Sequence, residues 1–183
     1  FRASLGIPPE HPLALFVGRV AHEKNIGFLL DAFARAHQRC PEALLLVTGE
    51  GPAMESLRQK ATRLGLADSV RFLGYLDRAS ALPDCYAAAD LFVFASRTET
   101  QGLVLLEALA AGTPVVALSA MGTADILAHA PGCIAPPDDP QAFGEVVGRL
   151  LADPAACLEL AAQARKTASL WSDEAMAGRL AQL

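Results

Sequence analysis

The chain has 183 residues, 52% of them apolar, and a formal net charge of −5. Length and apolar content fit one globular domain with a sizeable core and exclude a disordered segment. The negative balance argues against a nucleic-acid partner, which would need a broadly basic surface, and no apolar run approaches the ~18 residues that cross a bilayer.

The opening stretch, "FRASLGIPPEHP", lacks the apolar core of a signal peptide. Phe1 is not a natural start, so the chain is expected to be cut from a longer protein. "LALFVG" (13–18) then reads as a buried strand. "NIGFLLDAFARAHQRC" (25–40) reads as a helix, because Ile26, Leu29, Leu30, Phe33 and Ala36 recur at helical spacing, with Asn25 as its N-cap. "ALLLVTG" (43–49) is a second strand, and "PAMESLRQKATRLG" (52–65) a second helix with Pro52 in its first turn and Gly65 at its end.

"VRFLGY" (70–75) is a third strand, and 78–89 reads as one or two short helices broken at Pro83. "LFVFAS" (91–96) is a fourth strand, followed by a helix from about Gly102 to Ala111 that stops at Gly112. "PVVALS" (114–119) is a fifth strand. A short helix near 123–130 and a brief strand at "GCIAP" follow. Asp139-Pro140 and Asp153-Pro154 each pair an N-cap with a first-turn proline, so helices are expected to begin at 140 and 154, with a last one near Ser172.

The strand runs are continuously apolar rather than alternating, as in a parallel sheet covered on both faces. With helices between consecutive strands, this predicts an α/β, doubly wound, mostly parallel sheet of about six strands. No internal repeat or linker divides 1–183, which reads as one domain.

Such folds bind ligands at the carboxyl ends of their strands, so the segments just past each strand carry the chemistry. Arg19 and Lys24 fall after the first strand, where a planar fork and a point charge suit a phosphate or diphosphate. Gly102 and Leu103 open the helix after the fourth strand, and free amides there with the helix dipole behind them form an anion site. Glu99 and Glu107 flank that helix start with seven residues between them. In a continuous helix they would be rotated ~80° past two turns. With Glu99 in a loop instead, both can face one cleft, and carboxylates suit the paired hydroxyls of a sugar. Leu105, Leu106, Ala108 and Leu109 suggest a largely buried helix, in which Glu107 needs a partner.

Other chemistries find little support. No Asp-x-Asp pair marks a metal site, and Cys40, Cys85, Cys133 and Cys157 lack zinc or disulfide spacing and read as buried thiols. "GEGP" (49–52) is a partial dinucleotide fingerprint, but Met54 holds the third glycine position. No serine nucleophile elbow is present, and the four histidines show no ligand spacing.

"GRVAHEKN", followed some 75 residues later by "ETQGLVLLEALAAGTPVVA", resembles the donor-binding half of a family 4 (group 1) retaining glycosyltransferase of the GT-B, Rossmann-like architecture. The resemblance covers essentially the whole chain, including "WSDEAMAGRL" near its end. It implies transfer of a hexose from a nucleotide diphosphosugar, UDP-linked rather than GDP-linked, to a hydroxyl of a glycan or lipid, with no metal and no cofactor. Arg19 and Lys24 match residues holding the donor diphosphate, Glu99 the contact to the donor sugar, and Glu107 the contact to the ribose. Arg19, Lys24 and Glu99 are thereby the catalytic candidates. Gly102, Leu103 and Val104 match backbone meeting sugar and phosphate. Arg71, Phe72 and Leu73 match the segment beside the base, and Gly18, Gly51 and Pro52 lie near the same pocket. Gln101 stands where many members carry an aromatic, which is similar to members acting on lipid acceptors.

The resemblance further implies an N-terminal acceptor domain absent from this chain, leaving Trp171 to Leu183 without its packing surface, and an isolated domain that is inactive alone. It implies a cytoplasmic protein, with peripheral association at the inner face of a membrane in its full-length form. A UDP-sugar epimerase of the same architecture and a non-catalytic nucleotide-sugar binding module stay open.

Overall fold

The computed structural model describes residues 1–169. Its sheet has six strands: β1 (Leu13–Val17), β2 (Leu44–Thr48), β3 (Val70–Gly74), β4 (Leu91–Phe94), β5 (Val115–Ala117) and β6 (Cys133–Ile134). Every pairing is parallel, in the order β3-β2-β1-β4-β5-β6. This is the doubly wound order, whose direction reverses between β1 and β4. The register there pairs Ala14 with Leu91 and Leu15 with Phe92. Both strands are buried along their length, and Phe16 and Phe94 stack with centroids 5.9 Å apart beneath the reversal point.

The helices divide between the two faces. α1 (Ile26–Arg39) packs on α2 (Met54–Arg63) and α6 (Pro140–Leu151), while α4 (Leu103–Ala111) packs on α3 (Ala81–Ala88) and α7 (Pro154–Ser169). α5 (Gly122–Ala128) links β5 to β6. Helices α6 and α7 begin at the two prolines marked in the sequence, and Asp139 and Asp153 accept from the amides of Ala142 and Ala156, at 2.8 and 3.1 Å.

Three local expectations change. α2 starts at Met54 rather than Pro52, because Pro52 is spent on the turn out of β2. Residues 81–88 form one helix, not a broken pair: Pro83 is its third residue, where an amide has no intrahelical acceptor to lose. Asn25 precedes α1 in a left-handed conformation (φ 54°), and its side chain caps nothing on the helix. The last helix expected near Ser172, the "WSDEAMAGRL" segment and Trp171 to Leu183 lie outside the described residues. Among the described residues no helix is long and apolar enough to cross a membrane. The four cysteines are free thiols, and burial pushes Cys85 up to about 12, which leaves it unreactive.

Candidate nucleotide-sugar site

The loops leaving β1, β2 and β3 are joined by their backbones. Gly18 donates to the Thr48 carbonyl at 3.1 Å, Val20 to Glu50 at 2.9 Å, and Gly49 to Gly74 at 2.8 Å. Arg19 rides on this frame with its side chain 66% exposed, 3.7 Å from the Glu23 carboxylate. The loop continues through a single turn, His22–Lys24, and is tied to the strand across the reversal point: Asn25 Nδ2 donates to the Ala95 carbonyl at 3.1 Å, and Ser96 Oγ to the Glu23 carbonyl at 3.3 Å.

Lys24 and Glu99 meet across this seam. Lys24 Nζ lies 2.8 Å from Glu99 Oε2, with only about a fifth of either side chain exposed. The other oxygen, Oε1, accepts from the amides of Gln101 and Gly102, each at 3.2 Å. Lys24, then the Gly102 and Gln101 amides, hold the Glu99 carboxyl below the usual carboxylate range against the opposing effect of burial. Gly102 is the left-handed N-cap of α4 (φ 68°), so the helix begins at Leu103. The amides of Leu103 and Val104, in its first turn, have no intrahelical acceptor. The helix start expected after the fourth strand is therefore in place, and Glu99 bonds the two amides just ahead of it.

An open cavity of about 350 Å³ lies beside this cluster. Gly18, Arg19, Val104 and Glu107 line it, together with Thr48, Gly49, Glu50, Tyr75, Leu76, Arg78 and Leu82. Its volume falls in the range of small-molecule sites. Glu107 stands in the second turn of α4, facing both the cavity and α3. Arg78 donates to its Oε1 at 2.5 Å and the Tyr86 hydroxyl to its Oε2 at 2.8 Å. These partners revise the sequence argument about Glu107: the carboxylate is compensated within the protein. α4 is also less buried than its leucines suggest, since Leu105, Ala108 and Leu109 point inward while Leu103 is 53% exposed.

Arg71, Phe72 and Leu73 do not reach the cavity. β3 runs on to Gly74, so the segment facing the cavity is Tyr75 and Leu76, just past the strand end. Arg71 instead donates to the Leu5 carbonyl at 2.6 Å, and Phe72 lies 5.0 Å from the Arg58 guanidinium carbon. Gly51 packs against the Val20 backbone beneath the Arg19 loop. The Gln101 side chain is exposed beside Glu99. Arg78 and Tyr86 were invisible as site residues in the sequence, because only the docking of α3 on α4 brings them to Glu107. Tyr75 carried a signal, lying in a segment that follows a strand. Among the described residues no three His, Cys, Asp or Glu side chains stand together to hold a metal ion.

Known proteins resemble this chain in sequence and fold. An alpha-monoglucosyldiacylglycerol synthase of Streptococcus pneumoniae is 42% identical over 116 residues, covering 63% of this chain and 26% of the relative. A D-inositol 3-phosphate glycosyltransferase of Xylanimonas cellulosilytica is 37% identical over 186 residues, covering 98% of this chain and 43% of the relative. The crystal structure of Anabaena HepE in complex with UDP superposes with a TM-score of 0.83 at 27% identity, over 100% of this chain and 51% of that one. The chain thus spans about half or less of the length of these relatives. The sequence pattern of the family described as "Glycosyl transferases group 1" matches residues 1–169, and the chain belongs to that family.

Proposed function

We propose that this chain is the donor-binding part of a retaining glycosyltransferase that moves a hexose from a nucleotide diphosphosugar to a hydroxyl of a glycan or lipid acceptor. UDP is the expected nucleotide. One observation carries the reading: the loops after β1 and β4 meet at the reversal point of the sheet, where Lys24 pairs with Glu99 ahead of α4, while Arg19 and Glu107 line one cavity with Val104 of the first turn of α4. The UDP named in the HepE complex and the glycolipid product named for the pneumococcal relative support the nucleotide and the lipid acceptor.

The chemistry follows from charge. As the bond between sugar and phosphate breaks, negative charge grows on the diphosphate. Arg19, the α4 amides and Lys24, once drawn off Glu99, would stabilise it, and removing one such group costs about 3 kcal/mol of barrier. Glu99 orients the sugar hydroxyls and Glu107 the ribose. The acceptor hydroxyl would attack from the face the diphosphate leaves and pass its proton to the departing phosphate oxygen, with no enzyme nucleophile, and the cations and amides would do the work a metal does elsewhere. The acceptor surface belongs to the remainder of the full-length protein. A lipid acceptor would place that protein at the cytoplasmic face of a membrane.

A thermal-shift panel of UDP, GDP and ADP on this chain tests the reading. UDP at about a hundred times its dissociation constant should stabilise the fold by about 2.7 kcal/mol. No shift with any of the three would sink it.

A further inference from the structure

We propose that Tyr86 is a positioning residue for Glu107, fixing one carboxylate oxygen so that the other is presented to the ribose hydroxyls of a bound nucleotide. The proposal rests on the reading of Glu107 as the ribose contact.

The two ends of Glu107 are held differently. Oε2 accepts from the Tyr86 hydroxyl at 2.8 Å, and Tyr86 is 3% exposed. Oε1 accepts from Arg78, whose side chain is 71% exposed and reaches it over open cavity. The buried partner is fixed at both ends: the Tyr86 ring sits 5.7 Å from Phe92 of β4, and its backbone carbonyl accepts from Thr113 Oγ1 at 2.7 Å. Thr113 follows α4, so the phenol is clamped to the helix that carries Glu107. Burial and the neighbouring Glu107 carboxylate push the phenol up, so it remains a proton donor at every working pH.

Each carboxylate oxygen offers two acceptor positions. Tyr86 takes one on Oε2. When the exposed Arg78 side chain gives way, the two acceptor positions of Oε1 can receive two adjacent hydroxyls, the pattern a ribose diol presents. Without the phenol the carboxylate can rotate about its last bond and follow Arg78 toward solvent.

Calorimetry of UDP and 2′-deoxy-UDP binding to this chain, as wild type and as Tyr86→Phe, tests the proposal. The wild type should prefer UDP. The variant should bind UDP about fivefold more weakly, the size of one lost hydrogen bond, and 2′-deoxy-UDP unchanged, so the preference collapses. In a Glu107→Ala background the same substitution should change neither affinity. Tyr86→Met, which keeps burial without the hydroxyl, serves if the phenylalanine variant fails to fold. A preference retained in the variant, or equal losses for both nucleotides, would overturn the role of Tyr86 and leave Glu107 as the ribose contact. A wild type that binds both nucleotides equally, or neither, would overturn the ribose reading and this inference with it.

Discussion

Lys24 and Glu99 are 75 positions apart in sequence, yet their charged atoms lie 2.8 Å from each other across the reversal point between β1 and β4. Glu99 bonds both the cation and the amides of Gln101 and Gly102 just ahead of α4. Under the proposed function, a bound diphosphosugar would compete with this carboxylate or draw Lys24 off it.

The pair makes stability depend on pH in a predictable direction. The Glu99 carboxyl is held below its ordinary value of 4.5 in the folded chain. A depressed carboxylate contributes stability above its unfolded value and loses it as pH falls through the folded one. Lys24→Ala should therefore cost about 1 to 2 kcal/mol at pH 7, where the charged hydrogen bond is intact. The difference from wild type should shrink below about pH 4. Urea unfolding of both proteins at pH 7 and pH 3 measures it. An equal difference at both pH values would mean that Lys24 acts through packing instead.

Arg19 offers the opposite case. It is two-thirds exposed, and its nearest carboxylate is 3.7 Å away, a surface pairing worth little. Arg19→Ala should leave the unfolding midpoint unchanged and weaken UDP binding about tenfold or more, the scale of a lost charge-assisted contact. Uridine, which lacks the diphosphate, should bind both proteins alike. A parallel loss for uridine would assign Arg19 to the nucleoside.

The alternation of apolar runs with amphipathic segments made the sheet, its parallel sense and the helix starts at Pro140 and Pro154 legible, because those depend on local pattern. The seam between the loops after β1 and β4 was legible in part: residue types at strand ends pointed to Arg19, Lys24 and Glu99. Their pairing was not, since it depends on which strands are neighbours. Glu107 shows the limit. Its leucine-rich surroundings suggested a carboxylate short of partners, while Arg78 and Tyr86 came to it from α3 through tertiary docking. Asn25 failed for a related reason. It stands where an N-cap stands, but its amide is drawn to Ala95, a partner 70 positions away.

Gly51 has its role in close approach rather than in turn geometry. A Cβ built there would lie 2.3 Å from the Val20 carbonyl oxygen, and that carbonyl already accepts from Ala53. Since the obstacle is backbone, Gly51→Ala should cost about 1 to 3 kcal/mol and shift the neighbouring Arg19 loop. Denaturant unfolding reads the first effect and UDP calorimetry the second. Gly65→Ala is the control: it meets open space at φ 72° and should cost only the left-handed penalty of about 1 to 2 kcal/mol, with UDP affinity unchanged. Equal effects of the two on UDP binding would remove Gly51 from the support of the site.

Asn25 couples two demands that substitutions can separate. Its backbone is left-handed, which favours asparagine or glycine, and its side chain ties the β1 loop to the carboxyl end of β4. Asn25→Gly keeps the backbone and loses the tie, costing about 1 kcal/mol. Asn25→Ala loses both, costing about 2 to 3 kcal/mol. Because the tie joins the loop carrying Lys24 to the strand end ahead of Glu99, both variants should lose UDP affinity to a similar extent despite their different stabilities. Thermal unfolding and calorimetry on the three proteins decide the matter. If the glycine variant binds UDP as the wild type does, the tie serves only the fold, and the seam holds through the Lys24–Glu99 pair and the Ser96–Glu23 hydrogen bond.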